Sequence, residues 1–248
     1  VLQANLAGAS PLAAASTRNA SSIVKILLEN GAKSDLETPE IKDGQTPLML
    51  AIDKEYAAII DLLLAEGANP DSVRGDGKSA LHLAIEKGNA TIVEKLLKAG
   101  AEIELPNLKG QTPLMAACSK GAAEVVRVLL ECGADPKKRT QSGWNCLHFA
   151  SVHGFSSVVE ILLRYCKIDI DATTEIGDTP LHFACSNGRA EVVKLLVRAG
   201  ASTKLHNGDG QSPLSLSLTK ESEDVVFYLL LAGADVGSAV TTTKNETI

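Results

Sequence analysis

Apolar residues return along this chain in two alternating patterns. The longer one is Val125, Val126, Leu129 and Leu130, which share one face at helical spacing; it comes back as Val158, Val159, Leu162, Leu163 and as Val192, Val193, Leu195, Leu196. A shorter cluster precedes each, as Leu114, Ala117 and Cys118 do, and predicts a short helix over about Pro113 to Ser119. Its start is marked by Ser or Thr followed by Pro: the hydroxyl caps orphan N–H groups, and proline fills the first helical position, where no N–H is needed. Glycine or a polar residue turns the chain between the two helices (Gly88, Gly121, Gly154, Gly188), and a second glycine suited to a left-handed cap ends the longer one.

The pattern is periodic. Ser10-Pro11-Leu12, Thr46-Pro47-Leu48, Ser79-Ala80-Leu81, Thr112-Pro113-Leu114, Asn145-Cys146-Leu147, Thr179-Pro180-Leu181 and Ser212-Pro213-Leu214 follow one another at steps of 36, 33, 33, 33, 34 and 33 residues. From each leading Ser, Thr or Asn to the next cap glycine is 21 residues throughout, with Cys166 standing in for that glycine once. All length variation therefore falls between the glycine and the next start. The constant part is a packed block and the variable part a loop, turned at Asp43-Gly44, Asp76-Gly77 and Asp209-Gly210, which are hairpin signals. The boundaries read as 1–35, 36–71, 72–104, 105–137, 138–171, 172–204 and 205–237, with 238–248 as a tail or linker.

Composition agrees with small helices packed closely. The 248 residues are 45% hydrophobic and only 3% aromatic, with alanine, leucine and glycine the commonest residues. There is no apolar run of membrane-spanning length, so no membrane insertion is expected. Lys+Arg 24 against Asp+Glu 30 leaves −6, the wrong sign for a nucleic-acid binder, and no DNA partner is expected. Cys118, Cys132, Cys146, Cys166 and Cys185 form no CxxC pair, which argues against a zinc site or a disulfide framework and suits a reducing compartment, cytoplasmic or nuclear. The start at Val1, with no initiator Met and no leader, reads as a piece of a longer protein. HExxH, GxSxG and a phosphate loop are absent; no cofactor or metal and no catalytic residues are expected, and the chain reads as a non-enzyme.

Residues 179–203, TPLHFACSNGRAEVVKLLVRAGAST, resemble the ankyrin repeat in both the T-P-L-H and the glycine-alanine landmarks. Seven copies in register cover nearly the whole chain. The resemblance implies an all-α solenoid of helix-turn-helix units joined by β-hairpin fingers, with a concave surface, acting as a protein-interaction module or scaffold. It also gives His82, His148 and His182, which share one slot, the role of bridging neighbouring repeats by backbone hydrogen bonds. Partner contacts are then expected at the fingertips and the exposed end of the first helix.

By register, those positions in the fifth repeat are Arg139, Gln141, Ser142, Trp144, Val152 and His153, with Tyr165 near the end of the second helix. The flanking repeats add Leu108, Lys109, Gln111, Ser119 and Lys120 on one side and Glu175, Ile176, Asp178, Ser186 and Asn187 on the other. Trp144 is the chain's one tryptophan, where other repeats carry Gln45, Lys78, Gln111, Asp178 or Gln211; Tyr165 replaces Ala99, Cys132 or Ala199. An exposed Trp and Tyr side by side would form a binding hot spot. Packing of Trp144 on the stems of Lys137 or Arg139 is the plainer expectation. The basic run Lys137-Lys138-Arg139 suits an acidic or phosphorylated peptide with an apolar anchor.

Two alternatives follow from the same residues. Trp144 flanked by Lys and Arg could stack a nucleobase and hold phosphates, making a nucleotide or phosphate sensor. The repeats could equally be the substrate-recruiting arm of an enzyme whose catalytic domain lies elsewhere. Cys166 would be reactive only if Arg164 or Lys167 lowered its pKa. Phe227 and Leu231 stand where the preceding repeat has Lys194 and Arg198, and point to further packing or self-association through the last repeat.

Overall fold

The computed structural model describes residues 10–39, 43–220 and 222–237. Fourteen α-helices lie among them, in alternating short and long members of pairs. The first helices are α1 Pro11–Ser16, α3 Pro47–Asp53, α5 Ala80–Lys87, α7 Pro113–Lys120, α9 Cys146–His153, α11 Pro180–Ser186 and α13 Pro213–Leu218. The second helices are α2 Ser21–Glu29, α4 Ala57–Ala65, α6 Ala90–Lys98, α8 Ala123–Glu131, α10 Ser156–Tyr165, α12 Ala190–Arg198 and α14 Glu223–Leu231. The proposed tail 238–248 and the part of the first finger at 40–42 lie outside the described residues.

The starts form as their sequence dictates. The Thr46 and Thr179 hydroxyls accept from Met49 and His182 N–H, and Ser10 and Ser212 act the same way. Cap glycines take positive φ, for example +91° at Gly100 and +96° at Gly200. Cys166 cannot do this cheaply: it is extended (φ −122°), and α10 runs ten residues to Tyr165.

The chain divides into two compact units, Val1–Ala116 with Val128–Ala134, and Ala117–Arg127 with Asp135–Ile248. In the first, α1 packs on α3 and α3 on α5, while α2 packs on α4. In the second, α9, α11 and α13 pack in sequence, and so do α10, α12 and α14. Each core is aliphatic: Leu48, Ile52, Ile59, Leu63, Leu81 and Ile92 in one, Leu147, Val158, Leu162, Leu181, Val193 and Leu196 in the other, all buried. Cys118, Cys146 and Cys185 are buried with them.

The fingers are tight turns rather than ladders. Thr140 N–H donates to the Trp144 carbonyl and Gly143 N–H to the Thr140 carbonyl, both at 2.9 Å. The same closure joins Arg74 to Lys78, Asn107 to Gln111, Thr174 to Asp178 and Asn207 to Gln211. One isolated antiparallel bridge, Val73 to Ser79, is the only β pairing among the described residues. The turns stack closely enough to demand glycine: a Cβ on Gly177 (φ +80°) would stand 2.8 Å from the Gly208 nitrogen.

Candidate binding surface on the second unit

The fifth finger delivers Trp144 with its backbone fixed. Its N–H donates to the Thr140 hydroxyl at 3.1 Å, and the next residue, Asn145, caps α9 through its side chain. Trp144 is half-buried, and its ring meets Phe149 of α9 at 5.1 Å and Phe183 of α11 at 4.5 Å between centroids. His148 lies 5.9 Å away. The expected exposed Trp–Tyr pair is therefore not what forms. Trp144 sits in an aromatic cluster with first-helix residues, while Tyr165 is exposed and has the Arg127 guanidinium 5.9 Å from its ring centroid. Two rings, 5 and 39 positions along the chain, hold it. The indole N–H has no hydrogen-bond acceptor among the described residues and is not sealed from solvent.

Phe149 and Phe183 are the site residues that sequence reasoning missed. A signal existed: both follow the histidine slot, where other repeats carry Leu50, Leu83, Ala116 or Leu216. Both are half-buried, so each adds apolar surface beside Trp144.

The basic part of the expected site is changed by the structure. Arg139 donates from Nε to the Gly143 carbonyl at 3.0 Å and from Nη2 to the Thr173 carbonyl, so its guanidinium pins one finger to the next. That use competes with holding a phosphate. Asp178 is also structural: its carboxylate accepts from the Asn207 amide at 2.8 Å and its carbonyl from His148 Nε2 at 3.2 Å. The Val152 carbonyl accepts from Arg189 Nε at 3.3 Å, and the His153 ring lies 5.6 Å from Phe155. Gln141 and Ser142 are exposed, with the Ser142 hydroxyl 3.1 Å from that of Thr140. Glu175 and Ile176 are exposed at the sixth fingertip; Lys120 and Asn187 are exposed and Ser119 and Ser186 half-buried at first-helix ends. Leu108, Lys109 and Gln111 belong to the first unit, where the Gln111 side chain accepts from Asn107 at 3.1 Å.

The histidines serve the scaffold. Asn145 N–H donates to His148 Nδ1 at 3.1 Å, which leaves the proton on Nε2 for the Asp178 carbonyl. His182 repeats this with Thr179 and the Gln211 carbonyl. Burial pushes His148 down to about 4 and lowers His182 and His82 as well. His82 caps with Ser79, and its buried Nε2 faces the Gln111 backbone of the next repeat, in poorer geometry than the other two histidines. Cys166 is half-buried and its pKa is raised by burial and then by Cys146; Arg164 is spent on Glu160 at 3.5 Å. It is not an activated thiol. No helix among the described residues is long and apolar enough to cross a membrane.

The family profile described as Ankyrin repeats (3 copies) matches residues 12–107, 81–174 and 147–239. Among solved structures, the ankyrin repeat domain of Bcl-3, "a unique member of the IkappaB protein family", is 30% identical with a TM-score of 0.79, covering 90% of this chain and 99% of that one. The human ASB11 ankyrin repeat domain is 28% identical with a TM-score of 0.78, covering 91% of this chain and 99% of that one. No curated protein matches by sequence. Capped helix pairs, positive-φ glycines and fingers closed by their own turns thus carry a sequence that matches one profile from residue 12 to 239, and the chain belongs to the ankyrin repeats, a family of protein-interaction modules.

Proposed function

We propose that this chain is a non-catalytic interaction module that takes the apolar anchor of a protein or peptide on the Trp144–Phe149–Phe183 cluster of its second unit. The observation that carries this reading is the indole N–H of Trp144. Its ring is held by two phenylalanines, so it is preorganised, and its donor has no acceptor among the described residues. An apolar body with a polar tip still open to a partner is what makes Trp an interface anchor. The partner segment therefore offers an apolar side chain to the rings and a carbonyl or carboxylate oxygen to the N–H. Gln141, Ser142, Ser186 and Asn187 form a polar rim suited to main-chain groups. The commitment of Arg139 to two carbonyls weighs against a nucleotide-phosphate site there. Acidic groups on the partner would instead meet Lys120 at the end of α7.

The test uses partners captured from lysate on the full chain, with the affinity of each captured partner read by titration calorimetry. Trp144→Ala should weaken capture by at least ~30-fold, the equivalent of about 2 kcal/mol. Trp144→Phe, which keeps a ring and removes the N–H, should fall between. Tyr165→Ala should leave affinity unchanged. A partner bound equally by all three variants would overturn the site.

A further inference from the structure

A second contact surface, independent of the Trp144 site, lies between α6 and α8 within the first unit. Its origin shows when positions are counted from the Ser, Thr or Asn that starts each helix pair. Lys95 of α6, at position 16, reaches back to the carboxylate of Asp61 of α4, at position 15, over 2.6 Å. The second unit crosses the same two positions, where Lys194 of α12 lies 5.8 Å from the ring centroid of Tyr228 of α14. Between α6 and α8 these positions hold Glu94 and Val128. Valine is too short to cross. Glu94 turns instead to Lys98 of its own helix, 3.6 Å away, and a cleft of about 520 Å³ stays open.

The floor of the cleft is aliphatic and its mouth is acidic. Leu97 and Ile103 are half-buried, and Val128 is buried. Glu94, Leu97 and Lys98 line one wall and Val128, Glu131 and Cys132 the other, each set at spacing i, i+3, i+4. Both walls are therefore one helical turn long, a groove suited to the ridge of a third helix. Lys98 is engaged by Glu94, whereas the exposed Glu131 has no ion pair among the described residues. The unit around the cleft is acidic as well. It carries 16 Asp and Glu against 11 Lys and Arg, which is −5 of the chain's −6. Such a field draws in cationic partners and repels acidic ones.

We propose that the cleft seats a basic amphipathic helix of a partner protein. An aliphatic side chain enters between Leu97, Ile103 and Val128, and an arginine or lysine one turn away pairs with Glu131. The partner helix supplies the crossing that Val128 cannot make, and adds to it the burial of apolar surface on both sides.

The test uses the full chain and a defined probe, an alanine-based helical peptide with two leucines one turn apart and an arginine beyond each. Cys132 reports occupancy, because it is exposed on the wall of the cleft; the half-buried Cys166 lies outside it and serves as reference. Alkylation of each thiol by iodoacetamide is followed by mass spectrometry. Saturating probe should slow alkylation of Cys132 by about tenfold and leave that of Cys166 unchanged. Val128→Lys rebuilds the crossing that Lys95 makes with Asp61, and should abolish the protection with unchanged circular dichroism. Glu131→Lys, a surface change that leaves the floor intact, should weaken the probe by about tenfold. Probes with serine for leucine, or glutamate for arginine, should protect nothing. An unprotected Cys132 in the parent would overturn the proposal. So would equal protection by the glutamate probe, or protection undiminished in Val128→Lys or Glu131→Lys. Trp144→Ala should leave the protection as it is, so either site can fail without the other.

Discussion

At the scale of single residues, His148 is a neutral strut. Its Nδ1 accepts from Asn145 N–H while Nε2 donates to the Asp178 carbonyl, an arrangement that the neutral ring completes. Burial holds its pKa near 4, below the roughly 6.5 of an unfolded histidine. Between those values the unfolded chain binds the extra proton and the folded chain does not. Stability is therefore whole above about pH 6.5 and declines as pH falls toward 4, with about 3 kcal/mol lost through His148 alone by pH 4. His182 and His82 shift in the same direction. Chemical denaturation at a series of pH values checks this: the midpoint should fall steadily across that window, and His148→Gln should flatten the slope. A midpoint indifferent to pH from 7 to about 4.5 would contradict the strut.

At the scale of elements, the turn between two helices of a pair is set by its neighbour. Gly121 has φ +69°, and a Cβ there would stand 2.5 Å from the Phe155 ring. Gly121→Ala meets both penalties and should cost about 1–3 kcal/mol, measured as a drop in denaturation midpoint. With Phe155→Ala as background the added cost should shrink to the conformational part. Leu129→Ala, in a fully buried slot of α8, should cost about 2–5 kcal/mol in the same assay. Much of this level was legible in the sequence because its causes are local. A Thr-Pro start, a Val-Val-x-x-Leu-Leu face and a cap glycine act within one turn or two of themselves. Trp144 was not legible in the same way. Its burial depends on Phe183, and the engagement of Arg139 on the Thr173 carbonyl, each a repeat length or more away. Register places such residues near each other but does not say whether a ring or a guanidinium turns inward or outward.

At the scale of the whole molecule, stability is a sum of neighbouring contacts within each unit rather than one shared core. The consequences of damage should then be local. Leu28→Ala in the buried face of α2 should speed amide exchange in α1 and α2 while leaving α13 and α14 protected as before. Exchange raised evenly along the chain would mean that folding is far more cooperative than stacked pairs allow.

The constant 21-residue block and the self-closed finger have a further consequence, at the level of the gene. A codon gained or lost inside the block displaces every buried position after it, whereas one gained at a fingertip displaces none. The steps of 36 and 34 residues show such additions already present. A foreign loop spliced at the tip of the finger that follows Gly31 or Cys166 should thus be carried without retuning either adjoining helix pair, which makes these fingers the natural sites for grafts and tags.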